Sequence, residues 1–229
     1  MTGGSDGAKM VTDVVTNSAR AEVFKRIRAA KGGVASADLA RTEWNRVTRT
    51  YRREATRSRE AVLELLVDRL QDYDTRVVRA MHVGVRTAAA AMLKERKSMR
   101  MVIPRGLAEE WLPAGVEFLV DDELTAIELD KVDGVMTGAT LAIAETGTIV
   151  LQNVAGQGRR AVTLVPDYHL CVVRVEDVVE TVPEAIGRLQ ATAALATTFV
   201  SGPSATADIE MTRIKGVHGP RFLDVILVE

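Results

Sequence analysis

Glu145 is the one acid in Ala142-Ile-Ala-Glu-Thr-Gly-Thr-Ile-Val150, set between two apolar runs. Desolvation there would disfavour its charged form, which suits an acid, a base or a nucleophile. Gly147 permits a positive φ at a turn and, beside Thr146, would lift the acid out of a sheet. The plain alternative is a solvated glutamate on a surface turn. A second stretch, Thr197-Thr-Phe-Val-Ser-Gly-Pro-Ser-Ala-Thr-Ala-Asp-Ile-Glu210, reads as a strand, a small-residue loop and the start of a helix. The first N–H groups of a helix lack internal partners and sit at the positive end of its dipole, so a carboxylate or phosphate is favoured there. Ser201, Gly202, Pro203, Ser204 and Thr206, with Asp208 and Glu210 in the first helical turn, are therefore candidate ligand-binding residues together with Thr146 and Gly147. Gly202 would permit close backbone approach, and Ser204 would cap the helix whether or not a ligand is held. The two segments are expected to form one site.

Histidine supplies two further candidates. His169 lies in Pro166-Asp-Tyr-His169 between two strands, and His218 lies in Gly216-Val-His-Gly-Pro220. Either is expected to titrate near neutral pH and to carry protons. With Glu145 they make the candidate catalytic set. No pair has metal-ligand spacing, so no metal site is expected. Neither a phosphate loop, a dinucleotide fingerprint nor a serine elbow occurs. Cys171 is the only cysteine, so an internal disulfide is impossible and a cluster wanting about four thiolates needs another chain. A reducing cytoplasm is the expected compartment.

Hydrophobic residues make up 47% and charged residues 27% of the 229, an ordinary balance for a domain with a sizeable core. No apolar run approaches the roughly 20 residues that span a bilayer, so no membrane partner is expected. The net charge of −1 conceals an asymmetry: residues 20–60 hold twelve Lys or Arg against five Asp or Glu. Residues 1–16 are read as a disordered lead and 17–74 as a basic helical arm, with an α/β domain over 75–229. In the arm a short amphipathic helix spans 18–30. From Ala37 to Arg59, Trp44, Val47, Tyr51 and Ala55 form one apolar helical stripe among arginines. The charge run reads first as a solvated face and next as a dock for an acidic partner. Nucleic acid is disfavoured, since Trp44 and Tyr51 would be taken up by packing rather than by stacking on bases.

Elements that would position the candidates follow from periodicity. Glu60–Gln71 predicts a helix with Val62, Leu63, Leu66 and Leu70 inward. Strands at 75–80, 100–103 and 116–120 then alternate with helices, which implies right-handed crossovers and a mainly parallel sheet. Strand-like runs at 134–144, 148–151, 161–165 and 170–175 leave little room for helices and predict antiparallel or mixed pairing. A helix is expected over 176–190. The apolar run 223–228 predicts an interior strand.

Taken in order, Ala144-Glu-Thr-Gly-Thr148, Pro166-Asp-Tyr-His169, Ser201-Gly-Pro-Ser204, Thr206-Ala-Asp-Ile-Glu210 and Gly216-Val-His-Gly-Pro220 resemble the signature of the lactate-utilisation protein C family, the LUD domain. The resemblance covers about Gly84 to the C-terminus and implies a mixed, mainly parallel α/β sheet similar to the ribose-phosphate isomerase and CoA-transferase group. It also implies a place in a three-protein cytoplasmic system that oxidises L-lactate to pyruvate. Two iron–sulfur proteins would be the partners and hold the clusters, with no cofactor in this chain. Glu145 resembles the glutamate that forms an acyl adduct in CoA transferases, but kinship of fold does not transfer activity. The two resulting expectations are a non-redox subunit able to take a small anionic ligand, and a free-standing enzyme acting through Glu145 on a CoA thioester or a phosphorylated small molecule.

Overall fold

The structure, a computed structural model, describes residues 19–32, 36–206, 214–216 and 218–229. Two compact units divide the chain, one ending at Tyr51 and one spanning Arg52–Glu229.

The first unit holds helix α1 (19–30) and helix α2 (Ala37–Arg46). Ser36 starts α2 by accepting a hydrogen bond from the Leu39 N–H at 3.1 Å, and Asp38 complements the positive end of the dipole. The helix predicted to run on toward Arg59 instead stops at Arg46. β-Branched Val47, Thr48 and Thr50 resist helical φ/ψ, and Arg49 folds back to donate to the Trp44 and Val47 carbonyls at 3.0 and 2.9 Å. Its guanidinium lies 4.4 Å from the Trp44 ring centre. The expected packed stripe is therefore absent: Trp44 and Tyr51 are 67% and 56% exposed.

In the second unit Ser58 caps helix α3 (Arg59–Asp72), which buries Val62, Leu63, Leu66 and Leu70 at the spacing of one helical face. The strands are β1 (Arg76–Ala80), β2 (Arg100–Ile103), β3 (Glu117–Val120), β4 (Gly134–Gly138), β5 (Leu141–Ile143), β6 (Thr148–Gln152), β7 (Tyr168–Arg174), β8 (Val178–Val179), β9 (Thr197–Val200), β10 (Ala205–Thr206), β11 (Ile214–Lys215) and β12 (Phe222–Val228). Six of them form a parallel sheet in the order β1-β12-β7-β4-β2-β3, the mainly parallel α/β sheet expected. A second sheet, β8-β5-β6-β9, is mixed.

Alternation along the strands separates the layers. Cys171, Val173, Val225 and Leu227 face α3 and the inner residues of the second sheet, among them Ala142, Ala144, Ile149 and Leu151. Leu170, Val172, Ile226 and Val228 face helix α4 (Val85–Arg96) on the other side through its Val85, Ala89, Met92 and Leu93. A short helix α5 (Ala126–Leu129) precedes β4, and its Leu129 packs with Val102 and Val135. The outer face of the second sheet is covered by helix α6 (Val182–Leu189).

Three local expectations are corrected. Residues 161–165 are not a strand but part of a 3-10 turn over Arg160–Thr163, because Arg160 closes it by donating to the Thr163 carbonyl and hydroxyl at 2.8 and 3.0 Å. The helix expected over 176–190 opens only at Val182, where Thr181 and Glu184 form a capping box and Pro183 fits the first turn; Val178–Val179 before it pair with β5. The chain after Ser204 does not open as a helix at Ala205–Thr206, which pair antiparallel with Ile214–Lys215; the rest of the helix expected up to Arg213 lies outside the described residues.

Candidate functional site

One end of the second sheet gathers the first set of candidates. Glu145, Thr146 and Gly147 turn between β5 and β6, and Gly147 has φ +58°, where a Cβ would stand 2.9 Å from that of Arg69. Only glycine suits both the conformation and the space. Pairing of β6 with β9 brings Thr148 and Ser201 together: their hydroxyls are 2.8 Å apart, and the Thr146 hydroxyl is 2.7 Å from that of Thr148. A hydroxyl chain thus joins the Glu145 turn to the Ser201 loop.

The Glu145 carboxylate turns elsewhere. It pairs with Arg52 and lies 3.8 Å from Arg57, while its main-chain N–H donates to the Glu180 carbonyl at 3.1 Å. Glu180, which the sequence did not single out, is the better-held acid. Its side chain is fully buried and accepts from the Thr56 and Arg57 main-chain N–H groups at 2.7 and 3.0 Å, from the Arg57 guanidinium at 2.7 Å, and from Arg52. The Arg57 N–H above all, with the Arg52 guanidinium and Thr56 N–H, holds its carboxyl down at about 2 against the opposing effect of desolvation. Residues 52–57 therefore form a basic strap over two acids at the ends of neighbouring strands.

A second assembly lies at the amino ends of β7 and β12, a cavity of about 230 Å³ lined by His169, Ser201, Gly202, Pro203, Ser204 and His218 together with Arg160 and Thr163. Glu145 is not among its lining residues, so the single site expected resolves into a cavity and a neighbouring acid–arginine cluster. His169 is 1% exposed and its Nε2 is 2.8 Å from the Thr137 hydroxyl. Burial, and then the charge of Arg160, push its pKa down to about 3. This corrects the expectation of titration near neutral pH: the imidazole is a neutral hydrogen-bonding group. Cys171, below it on β7, is buried and its thiol is pushed up to about 12 by desolvation, leaving it unreactive.

Ser204 pins the loop rather than capping a helix. Its hydroxyl accepts from the His218 main-chain N–H at 2.9 Å, its own N–H donates to the Pro220 carbonyl at 2.8 Å and its carbonyl accepts from the Gly216 N–H at 2.9 Å. Gly202 has φ +79°, and a Cβ there would meet the Tyr73 Cβ at 2.5 Å, so packing against Tyr73 already accounts for this glycine. Thr206 contributes main chain to β10; Asp208 and Glu210 lie outside the described residues. Arg160, missed in the sequence because its surroundings read as a strand, is the cation at this cavity, and burial lowers its pKa. Ser201 is bonded to Thr148. The cavity thus offers hydroxyls, a neutral imidazole and a guanidinium, a set suited to holding a small anion. Among the described residues no group of three or more His, Cys, Asp or Glu is placed to hold a metal ion.

Comparison with known proteins adds an independent line. The LUD domain model matches residues 14–228. The chain is 42% identical over 175 residues to Lactate utilization protein C of Deinococcus radiodurans, covering 75% of this chain and 81% of the relative. It is 36% identical over 106 residues to Lactate utilization protein C of Halalkalibacterium halodurans, covering 44% and 46%. The crystal structure of a DUF162 family protein from Deinococcus radiodurans, 38% identical, superposes with a TM-score of 0.67 over 76% of this chain and all of that one.

Proposed function

The chain belongs to the LUD domain family, and from that premise we propose that it serves in lactate utilisation as a non-redox subunit of a cytoplasmic system that oxidises L-lactate to pyruvate. The observation that carries this reading is the 42% identity across 81% of the Deinococcus radiodurans relative that bears the name Lactate utilization protein C. In this reading the iron–sulfur clusters belong to two partner proteins. A single, buried cysteine fits that division of labour, because a cluster wants about four thiolates. No helix among the described residues is long and apolar enough to cross a membrane.

The basic residues of the N-terminal segment would dock an acidic face of a partner, and the cavity at His169 and Ser201 would hold a small anion. The other expectation, an enzyme acting through Glu145, gains nothing from the geometry, since that carboxylate is paired with Arg52 and does not line the cavity at His169.

Two measurements test the proposal together. Deleting the gene should abolish growth on L-lactate but not on pyruvate, with restoration by the intact gene. A tagged chain should capture cysteine-rich iron–sulfur proteins at low salt and release them as salt screens the contact. Normal growth on L-lactate after deletion would remove the proposed role; capture that is insensitive to salt would remove the docking arm.

A further inference from the structure

A cavity of about 240 Å³ lies outside the carboxyl ends of β4 and β7, walled by Gly138 and Arg174 at those ends. Two polar groups in its lining find no partner inside the protein. Gln157 is 8% exposed, and its side-chain oxygen accepts from the Thr140 hydroxyl at 2.8 Å and from the Gln152 main-chain N–H at 2.7 Å. Those bonds fix which way the amide points and leave its NH₂ as the group on offer. Among the described residues the NH₂ donates to no acceptor, yet it is not sealed from solvent, and the accessible space beside Gln157 is this cavity.

The second group is Asp177, which ends the 3-10 turn Val175–Asp177 after β7. It is half-buried, and among the described residues its carboxylate accepts no hydrogen bond and forms no ion pair. Burial, and then the charge of Glu176, raise its pKa; Arg174, Arg188 and Arg59 act on it only from a distance and do not offset this. Polar groups withdrawn from water are normally satisfied, so this lining holds a donor and an acceptor that call for outside partners. Arg174 adds a guanidinium whose pairing with Glu176, at 3.7 Å and with both side chains largely exposed, is loose enough to be exchanged. Arg174 and Asp177 are the charged side chains of the lining, one of each sign. A plain carboxylate would suit Arg174 and Gln157 but meet Asp177 as a like charge, and a plain cation would suit Asp177 but be opposed by Arg174. A molecule bearing both charges on adjacent groups satisfies all three.

We propose that this crevice binds a small neutral α-amino acid as its zwitterion. The carboxylate accepts from the Gln157 NH₂ and the Arg174 guanidinium, and the ammonium group donates to Asp177. The side chain lies on the apolar wall that Leu107, Ala108 and Val172 supply. The volume admits a molecule of a few carbons rather than a nucleotide or a thioester cofactor. The inference rests on the crevice alone and holds or fails independently of the role in lactate utilisation.

Titration calorimetry on the full chain with glycine, L-alanine, L-valine and L-leucine tests it, with propionate, L-alaninamide and L-lactate for comparison. Saturable binding of at least one of the four amino acids is expected. Propionate and L-lactate lack the ammonium group and L-alaninamide lacks the carboxylate, so each should bind about tenfold or more weakly than the tightest amino acid, for want of a charge-assisted bond. Asp177→Asn should weaken amino-acid binding about tenfold or more while leaving Tm unchanged or raised, because a half-buried unpaired charge is removed with the shape kept. It should also bring the affinities for L-alanine and propionate together. Arg174→Gln, at an exposed side chain, should weaken amino-acid binding similarly and bring L-alanine and L-alaninamide together instead. The proposal is overturned if none of the four amino acids binds, if propionate or L-lactate binds as tightly as the tightest of them, or if both variants keep full affinity.

Discussion

The Glu180 carboxylate accepts the Arg57 main-chain N–H at 3.0 Å, and this bond is the first cause of a carboxyl pKa held at about 2 instead of 4.5. A folded pKa below the unfolded one means that the unfolded chain binds the proton more readily, so the stabilisation is complete above about 4.5 and is lost as pH falls toward 2. Glu180→Gln should therefore lower Tm at neutral pH, and the gap to the unaltered chain should close by about pH 2. Thermal unfolding of both proteins across that range checks it. A gap of constant size at all pH values would show that the charge of Glu180 is not what residues 52–57 recognise.

His169 is expected to act over a different window. Its pKa is lowered from 6.5 to about 3 by burial, so the unfolded chain gains a proton that the folded chain refuses between those values. Stability should fall as pH drops from about 6.5 through about 3. The imidazole C–H resonances should stay at their neutral positions from pH 8 to pH 5. His169→Gln, which keeps a partner for the Thr137 hydroxyl, should flatten the upper part of the pH–stability curve, from about 6.5 to 4.5, where Glu180 does not contribute. An imidazole titrating near pH 6.5 in the folded protein would contradict the buried geometry.

Asp224 is fully buried on β12 and is held by Arg96 through two bonds of 2.7 and 3.1 Å and by the Tyr168 hydroxyl at 3.0 Å. Asp224→Asn keeps the shape and the tyrosine bond but leaves a guanidinium that is only 27% exposed without its counter-charge. A loss of about 2–3 kcal/mol is expected, below the full cost of breaking a wholly buried pair because Arg96 keeps some access to water. Urea denaturation measures it. Arg96→Met in the same background should recover part of the loss by removing the unpaired charge.

What was legible in the sequence follows from where local pattern and tertiary structure agree. Val62, Leu63, Leu66 and Leu70 and the apolar run 223–228 carry strong periodic signals and are buried as expected. Cys171 falls in the strand expected over 170–175 and the Ser201 loop follows a strand as expected, whereas His169, expected between two strands, is itself the second residue of β7. The misses are cases in which one side chain overrides a weak pattern: Arg160 curls 160–163 into a turn, and Arg49 returns to the end of α2. Glu180 was missed for another reason. Its partners, Thr56 and Arg57, are more than a hundred residues away, and nothing local distinguishes it from an acid in the first turn of a helix. The split of the expected single site is of the same kind, because the register of β6 against β9 is what brings Ser201 to Thr148, and the distant residues 52–57 are what draw Glu145 to Arg52.

Gly202 separates a packing role from a ligand role. Its φ of +79° is costly for any other residue, and an added Cβ would overlap the Tyr73 Cβ at 2.5 Å. Gly202→Ala should therefore destabilise the chain by about 2–4 kcal/mol, combining backbone strain with overpacking, in the complete absence of ligand. Tyr73→Ala should not rescue it, because alanine retains the Cβ that is struck and the strain in φ is untouched. Urea unfolding of the single and double variants decides the matter. If Gly202→Ala keeps the stability of the unaltered chain and loses only the binding of an anion at the His169 cavity, the glycine is there for the ligand and the contact with Tyr73 is incidental.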